Sequence, residues 1–499
     1  MKNGLLSNSA TSLLSFFSKA IITFFLTPVY LNALGREDYG IWELVSLFIG
    51  YASLLDLGIR HALVRQTAFT FKHSKPHFLS SLYSSALIYM GCLGSILALG
   101  LLAITYLAPQ LIVPDNATHS YTQFYTVVAG LIFFSFFQKA AEGVLEGRQL
   151  YAIKNILDIF IRSTVAVAIY MYLTKDNGLE FMVLVYFCST IFALVAYNIL
   201  LIKIKPSIYA LTKPNMAQFR DLVKFGIKNL ISGSAFTLQN TSGTLVIGMV
   251  LGPAFVVLYS IPKTLFGYVG SLLSTLTQPL LPFLTENSDK PEDFKRYFLA
   301  ASNLVVWFVW TSLVFIFFYG ADFMIIWLGN EQVDVVNASL IGLLCVVVFL
   351  EKLSPMGLTL AQAMNKHGFF AKWRPVSAIL TFTVTYIAVT VWGVIGAAIG
   401  LLITSVIFVP VFLVFSNRLA HVSMTMFVRH VLIENTIVTM ILGGTVLLFK
   451  TAVMPPAKGY LDIGWAALFV ALVAIVLKFI SISMTQPMTH KAIIDMSKS

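Results

Sequence analysis

Residues 394–416 read VIGAAIGLLITSVIFVPVFLVFS, twenty-three positions without a single charge. A bilayer core of about 30 Å needs about 20 apolar residues in helical form. Hydrocarbon offers no partner to backbone N–H and C=O groups, so such a run must be a helix or belong to a closed barrel. It has no period-2 alternation of the kind a barrel strand shows. The neighbouring segments repeat the pattern. The sequence predicts fourteen helices, at about 9–31, 39–59, 79–106, 120–144, 153–173, 179–202, 223–250, 256–284, 298–319, 336–360, 374–392, 394–416, 430–449 and 462–482. Across the chain 58% of residues are hydrophobic and only 11% are charged, against about 25% charged in soluble domains. The reading is an all-α, polytopic integral membrane protein, which excludes most soluble enzyme chemistry.

The first segment is too long for a signal-peptide core, carries Lys19 near its middle and leads into further spans, so it is read as a retained helix. Basic residues set an orientation. With the N-terminus in the cytoplasm, 26 of the 33 Lys and Arg residues fall on the cytoplasmic side. Four (Arg36, Lys175, Lys450 and Lys458) fall outside, and Lys19, Arg162 and Lys263 lie deep in helices. This is a positive-inside pattern, and an even helix count returns the C-terminus to the cytoplasm. Basic flanks on anionic lipid account for the net charge of +11 without nucleic acid. The loops are too short for a soluble domain. Cys92, Cys188 and Cys345 form neither a metal spacing nor a disulfide framework, and no cofactor is expected.

An internal repeat is suggested by NALGREDYGIW at 32–42 and MVLGPAFVVLY at 249–259. Each places a Leu-Gly pair in a short connection between two long helices. Aligning Gly35 with Gly252, an offset of 217, lays helices 1–6 on helices 7–12. The expected domains are a six-helix bundle at 1–210, a second at 211–420 and an added helix pair with a tail at 421–499. Two parallel bundles around a central cavity is a transporter plan; a duplicated scaffold without a cavity is the other reading.

Charges inside spans cost at least about 2.5 kcal/mol each, so each one is informative. Helix 1 carries Lys19. Helix 2 carries Glu43 and Asp56, followed by Arg60; helix 4 ends with Lys139, Glu142 and Glu146. Lys154, Asp158 and Arg162 form a ladder on one face of helix 5, Lys224 and Lys228 start helix 7, Lys263 sits in helix 8, and Glu351 and Lys352 in helix 10. Cations near helix ends can snorkel to the interface. The helix 5 ladder reads equally as a salt-bridge row against helix 4. The candidate substrate-binding set is Lys19, Arg60, Arg162, Lys228 and Lys263; the candidate charge-balancing or ion-coupling set is Glu43, Asp56 and Asp158. The surplus of positive charge favours an anionic substrate such as a diphosphate. Glu43 and Lys263 are a candidate gate pair. Trp42 and Tyr51 are candidates for sugar stacking, with interface anchoring as the plainer reading.

The run TPVYLNALGREDYGIWELVSLFIGYASLLDLGIRHALVRQ, residues 27–66, resembles the opening of Wzx-type polysaccharide flippases. The LG-x-x-x-[YF]-G loop and the LLDLGI-R segment carry the resemblance. These flippases share a superfamily with multidrug and toxic-compound extruders and the lipid II flippase. The resemblance implies transfer of an undecaprenyl-diphosphate-linked oligosaccharide, as in O-antigen and lipopolysaccharide biosynthesis, across the bacterial inner membrane by alternating access. It implies a cationic cavity, a coupling ion such as H+ or Na+, and polysaccharide polymerase machinery as a partner. Two other functions stay open: a cation-coupled drug exporter on the same fold, with Asp56 as its ion site, and a membrane glycosyltransferase. The outer acids Asp115, Asp322, Glu331 and Asp334 show no catalytic spacing, so the chain is read as not an enzyme.

Overall fold

The computed structural model describes residues 2–54, 60, 63–64, 66–68, 76–108, 121–175, 178–204, 234–277, 291–329, 336–353, 357, 360–361, 366, 368–452 and 459–485. All regular structure among them is helical. Ten of these helices are long and apolar enough to cross a membrane, and the chain is a multi-pass membrane protein. The first, α1 (Lys2–Leu54), has 53 residues and is broken at Gly35. Its candidate span alone covers 42 residues. At 1.5 Å per residue that is about twice the hydrocarbon thickness, so one straight crossing cannot use it. The break resolves the excess into two arms, matching the separate first and second helices expected from sequence.

Gly35 has φ 74° and ψ −176°, a conformation essentially confined to glycine. Gly252, its partner in the repeat alignment, also has a left-handed φ, of 97°. A Cβ on either would meet nothing within 4 Å, so the demand at both corners is conformational rather than steric.

The chain divides into two compact units: residues 1–237 with 252–254, and residues 238–251 with 255–499. In the first, α1 is followed by α2 (Pro76–Leu107), α3 (Thr122–Gly147), α4 (Tyr151–Tyr172) and α5 (Gly178–Ile204). α3 packs against α2 and α5, and α1 packs along α4. Phe136, Ala140 and Val144, spaced by four, make a wholly buried stripe on α3.

The second unit holds most of α6 (234–250), then α7 (Pro253–Thr277), α8 (Pro291–Leu328), α9 (Ala338–Glu351), α10 (Gly368–Trp392), α11 (Val394–Leu419), α12 (Met424–Ala452) and α13 (Tyr460–Thr485). α8 is longer than the expected 298–319. Pro291 opens it with Glu292 and Asp293 in its first turn, and it ends at Gly329, where φ is +88°. α10 and α11 form a tight hairpin around Gly393, where φ is +60°. A Cβ on Gly396 would lie 2.1 Å from the Ala388 carbonyl oxygen, so only glycine lets these backbones approach so closely. The last two helices pack on α8 through an apolar seam that includes Val314, Tyr319, Leu442, Val446, Ile463 and Val470.

Candidate functional site

α3 ends and α4 begins within four residues of each other, at Gly147 and Tyr151, and the charges the sequence places on both helices meet there. The segment carrying Arg60 lies against α3 because Gly143 and Gly147 leave room for it. A Cβ on Gly147 would sit 2.6 Å from Thr67 Cβ, and one on Gly143 would sit 3.2 Å from the Arg60 carbonyl oxygen. Each glycine follows a glutamate directly, so the close approach delivers Arg60 to both acids. Arg60 Nη2 lies 3.1 Å from Glu142 Oε2 and 2.5 Å from Glu146 Oε1.

Glu146 Oε1 is also 3.3 Å from Lys154 Nζ, which in turn is 3.2 Å from Asp158 Oδ2. The Tyr197 hydroxyl of α5 donates to Asp158 Oδ1, and Gln138 Nε2 donates to Glu142 Oε1 at 2.9 Å. Glu142, Glu146, Lys154 and Asp158 all have side chains under 15% exposed. The first two rungs of the helix 5 ladder, Lys154 and Asp158, thus form a salt-bridge row reaching Glu146 of helix 4, with the Lys154 side chain 11% exposed, and Arg162 stands outside it.

Arg162 and Lys19 stand differently. Arg162 makes a long contact of 3.4 Å to Ser15 Oγ on α1. Ser12, Ser15 and Lys19 share one face of α1, and Asn155 Nδ2 binds Ser12 Oγ at 3.0 Å, so this face meets α4. Lys19 is close enough to Arg162 to feel its charge. No carboxylate among the described residues lies within salt-bridge distance of either cation. Arg60, Gln138, Glu142, Lys154, Asp158, Arg162, Ser189 and Thr190 line a polar cleft of about 270 Å³. A larger cavity of about 470 Å³ between α7, α8 and α13 is lined by side chains such as Leu265, Trp307, Phe315 and Val470, and has no charged wall.

Of the expected site residues, the structure brings Arg60, Asp158, Arg162 and Lys19 into this one region. Glu43 lies in the second arm of α1 beside the hydroxyl of Tyr39, within an aromatic cluster. There Tyr30 stacks on Tyr39 at 5.9 Å, and Trp42 on Tyr186 at 4.9 Å. Trp42 is only 9% exposed, so one ring face is already taken and little of it reaches the surface. Lys263 belongs to the second unit, where its ammonium donates to the Asn240 carbonyl and lies over the Tyr259 ring. Asp56 and Lys228 lie outside the described residues. Glu142 and Glu146 were visible as charges, but only contact geometry makes them partners of Arg60. Tyr197 gave no signal, since a tyrosine in an apolar span reads as core.

These features define a multi-pass helical membrane protein with an ionic cleft inside one helix bundle and, at its end, two cations that meet no carboxylate among the described residues. Residues 5–288, more than half the chain, match the polysaccharide biosynthesis protein family, and the chain belongs to that family. It is 22% identical over 403 residues to a Shigella flexneri protein named for O-antigen transport, covering 79% of this chain and 94% of that protein. Among solved structures, the lipid II flippase MurJ in an inward closed conformation is similar, with a TM-score of 0.70 at 13% identity over 95% of this chain and 98% of that one. An inward-facing MATE family multidrug resistance transporter of the MOP superfamily has a TM-score of 0.66 at 14% identity, covering 82% of this chain and 94% of that one. The fold is the one these transporters share.

Proposed function

We propose that this protein is a flippase. It moves a polyprenyl-diphosphate-linked oligosaccharide from the cytoplasmic to the outer leaflet of the bacterial inner membrane, by alternating access, for surface polysaccharide biosynthesis. Family membership and the Shigella relative support the cargo class. The observation that carries the site is the Lys19–Arg162 pair. Two cations held near one another inside spans, without a carboxylate among the described residues, make a place for a group of at least two negative charges. Arg60 is already neutralised by Glu142 and Glu146, so it shapes the cleft more than it attracts the anion. Lys228 and Lys263 remain proposed headgroup contacts.

No bond is made or broken in this reading. Asp158, with Glu43 and Asp56, is proposed to balance charge or to bind a coupling H+ or Na+. Both termini are cytoplasmic, residues 1–210 and 211–420 are the two transport bundles, and 421–499 is an addition. The flipped product passes to polysaccharide polymerase machinery.

The test is deletion in the host, followed by complementation with wild type, Lys19→Ala or Arg162→Ala at matched protein abundance. Expected is completed lipid-linked glycan trapped on the cytoplasmic leaflet in the deletion, rescued by wild type and poorly by either variant. An unchanged glycan distribution in a strain without a redundant flippase would overturn the reading in favour of drug export. Full rescue by both variants would remove the pair from the site.

A further inference from the structure

Asp158 and Arg162 are four residues apart on α4, the spacing at which an acid followed by a base normally pairs. They do not pair here. Asp158 turns the other way, with one oxygen 3.2 Å from Lys154 Nζ and the other accepting from the Tyr197 hydroxyl. A base preceding an acid at this spacing is the weaker of the two orders, so α4 alone would favour Arg162 as the partner of Asp158. Something outside α4 reverses that preference. Tyr197 is wholly buried on α5, on the same face as Thr190 and Ala193, which line the cleft. Its hydroxyl also lies near enough to Arg162 for that charge to be felt there. The Tyr197 hydroxyl thus occupies the Asp158 oxygen that Lys154 leaves free.

We propose that Tyr197 is a positioning residue: by holding Asp158 on Lys154, it keeps the Arg162 guanidinium open to the diphosphate of the cargo. This rests on the flippase reading, because it presumes that Arg162 receives an anion. Without the hydroxyl, Asp158 swings to Arg162 and competes with the phosphate oxygens for the same donors. Tyr197 touches no substrate; it acts only through Asp158.

The test uses the full chain in nanodiscs, titrated with farnesyl diphosphate. Arg162→Ala is expected to weaken binding, which establishes where the anion sits. Tyr197→Phe keeps the ring and removes only the hydroxyl; it is expected to weaken binding by about tenfold, the size of one charge-assisted contact. The decisive variant is Tyr197→Phe with Asp158→Asn. With the competing carboxylate gone, affinity should return to the wild-type level or above, which a merely structural defect would not do.

Should Tyr197→Phe fail to fold, Asp158→Glu supplies the same competition with Tyr197 intact, since its longer side chain reaches Arg162, and the same loss is expected. Wild-type affinity in Tyr197→Phe, or in Asp158→Glu where it replaces that variant, would overturn the inference if Arg162→Ala still weakens binding. So would a double variant no better than Tyr197→Phe alone. An unaffected Arg162→Ala would instead overturn the placement of the anion, and this inference with it.

Discussion

At the scale of single residues, backbone conformation and charge placement make different demands. Gly35 turns α1 through a φ and ψ that other residues adopt only at a cost of about 1–3 kcal/mol, although a methyl group there would strike nothing. Gly50 lies in the same helix with equally open space and no special φ. Gly35→Ala should therefore lower thermal stability in detergent, while Gly50→Ala should leave it unchanged or raise it, by up to about 1 kcal/mol through helix propensity. Equal effects at the two positions would mean that the Gly35 corner carries no conformational demand of its own. The corner itself was legible, because a Leu-Gly pair followed by the polar stretch Arg36–Asp38 interrupts two long apolar runs. The Lys154–Asp158–Arg162 ladder was legible for a similar reason: charge stands out against apolar spans. What spacing could not supply was the direction each side chain turns. Asp158 chooses Lys154 over Arg162 because of a tyrosine 39 positions away.

At the scale of elements, the last two helices show where sequence reading stopped. Lys478 reads as a cytoplasmic flank cation, yet it is 4% exposed. Its ammonium lies 3.0 Å from Glu434 Oε1 and 3.3 Å from Asn435 Oδ1, and it also reaches Asn303 Oδ1 on α8. Within α12 the turn Val428–Ile433 is a π-helix, which disturbs the usual backbone pairing. Two amides serve carbonyls there: Asn303 Nδ2 donates to His430 O at 2.6 Å and Asn435 Nδ2 to Val431 O at 2.7 Å. At the other end of α12, Lys450 binds Asp322 of α8 at 2.8 Å. The pair is thus pinned to α8 at both ends, with the apolar seam between. Lys478→Met should destabilise by about 3–5 kcal/mol, since it leaves the largely buried Glu434 carboxylate without its cation, held by the Asn303 amide and the Ser481 hydroxyl. Adding Glu434→Leu should recover most of that loss, because a buried ion pair and an apolar pair of similar volume are nearly equal in free energy. Melting curves of the two variants in detergent decide it. A double variant no more stable than the single would mean that the amide network, not the charge pair, holds the helices.

At the scale of the whole molecule, charge statistics propose an orientation in the membrane that helix geometry alone does not. In the orientation we propose from the 26-to-4 partition of basic residues, the short connection between α3 and α4 is on the cytoplasmic side. The Arg60–Glu146–Lys154 end of the cleft would then lie nearest the cytoplasm, with Lys19 and Arg162 further from that face. A lipid-linked glycan assembled on the inner leaflet would enter past a neutralised network and meet Lys19 and Arg162, which face no carboxylate among the described residues, only once its diphosphate is inside. That order favours entry, because the headgroup sheds water where compensation is already waiting. Single cysteines test the orientation in right-side-out spheroplasts. Cys92, Cys188 and Cys345 carry no disulfide and can be replaced first. Lys458→Cys should react with an impermeant maleimide in intact spheroplasts, and Lys491→Cys only after permeabilisation. The reverse pattern would turn the neutralised end of the cleft outward and leave the deep cations facing the wrong leaflet for loading. The agreement between the direction of the charge ladder and the direction of transport would then be lost, even with every contact in the fold unchanged.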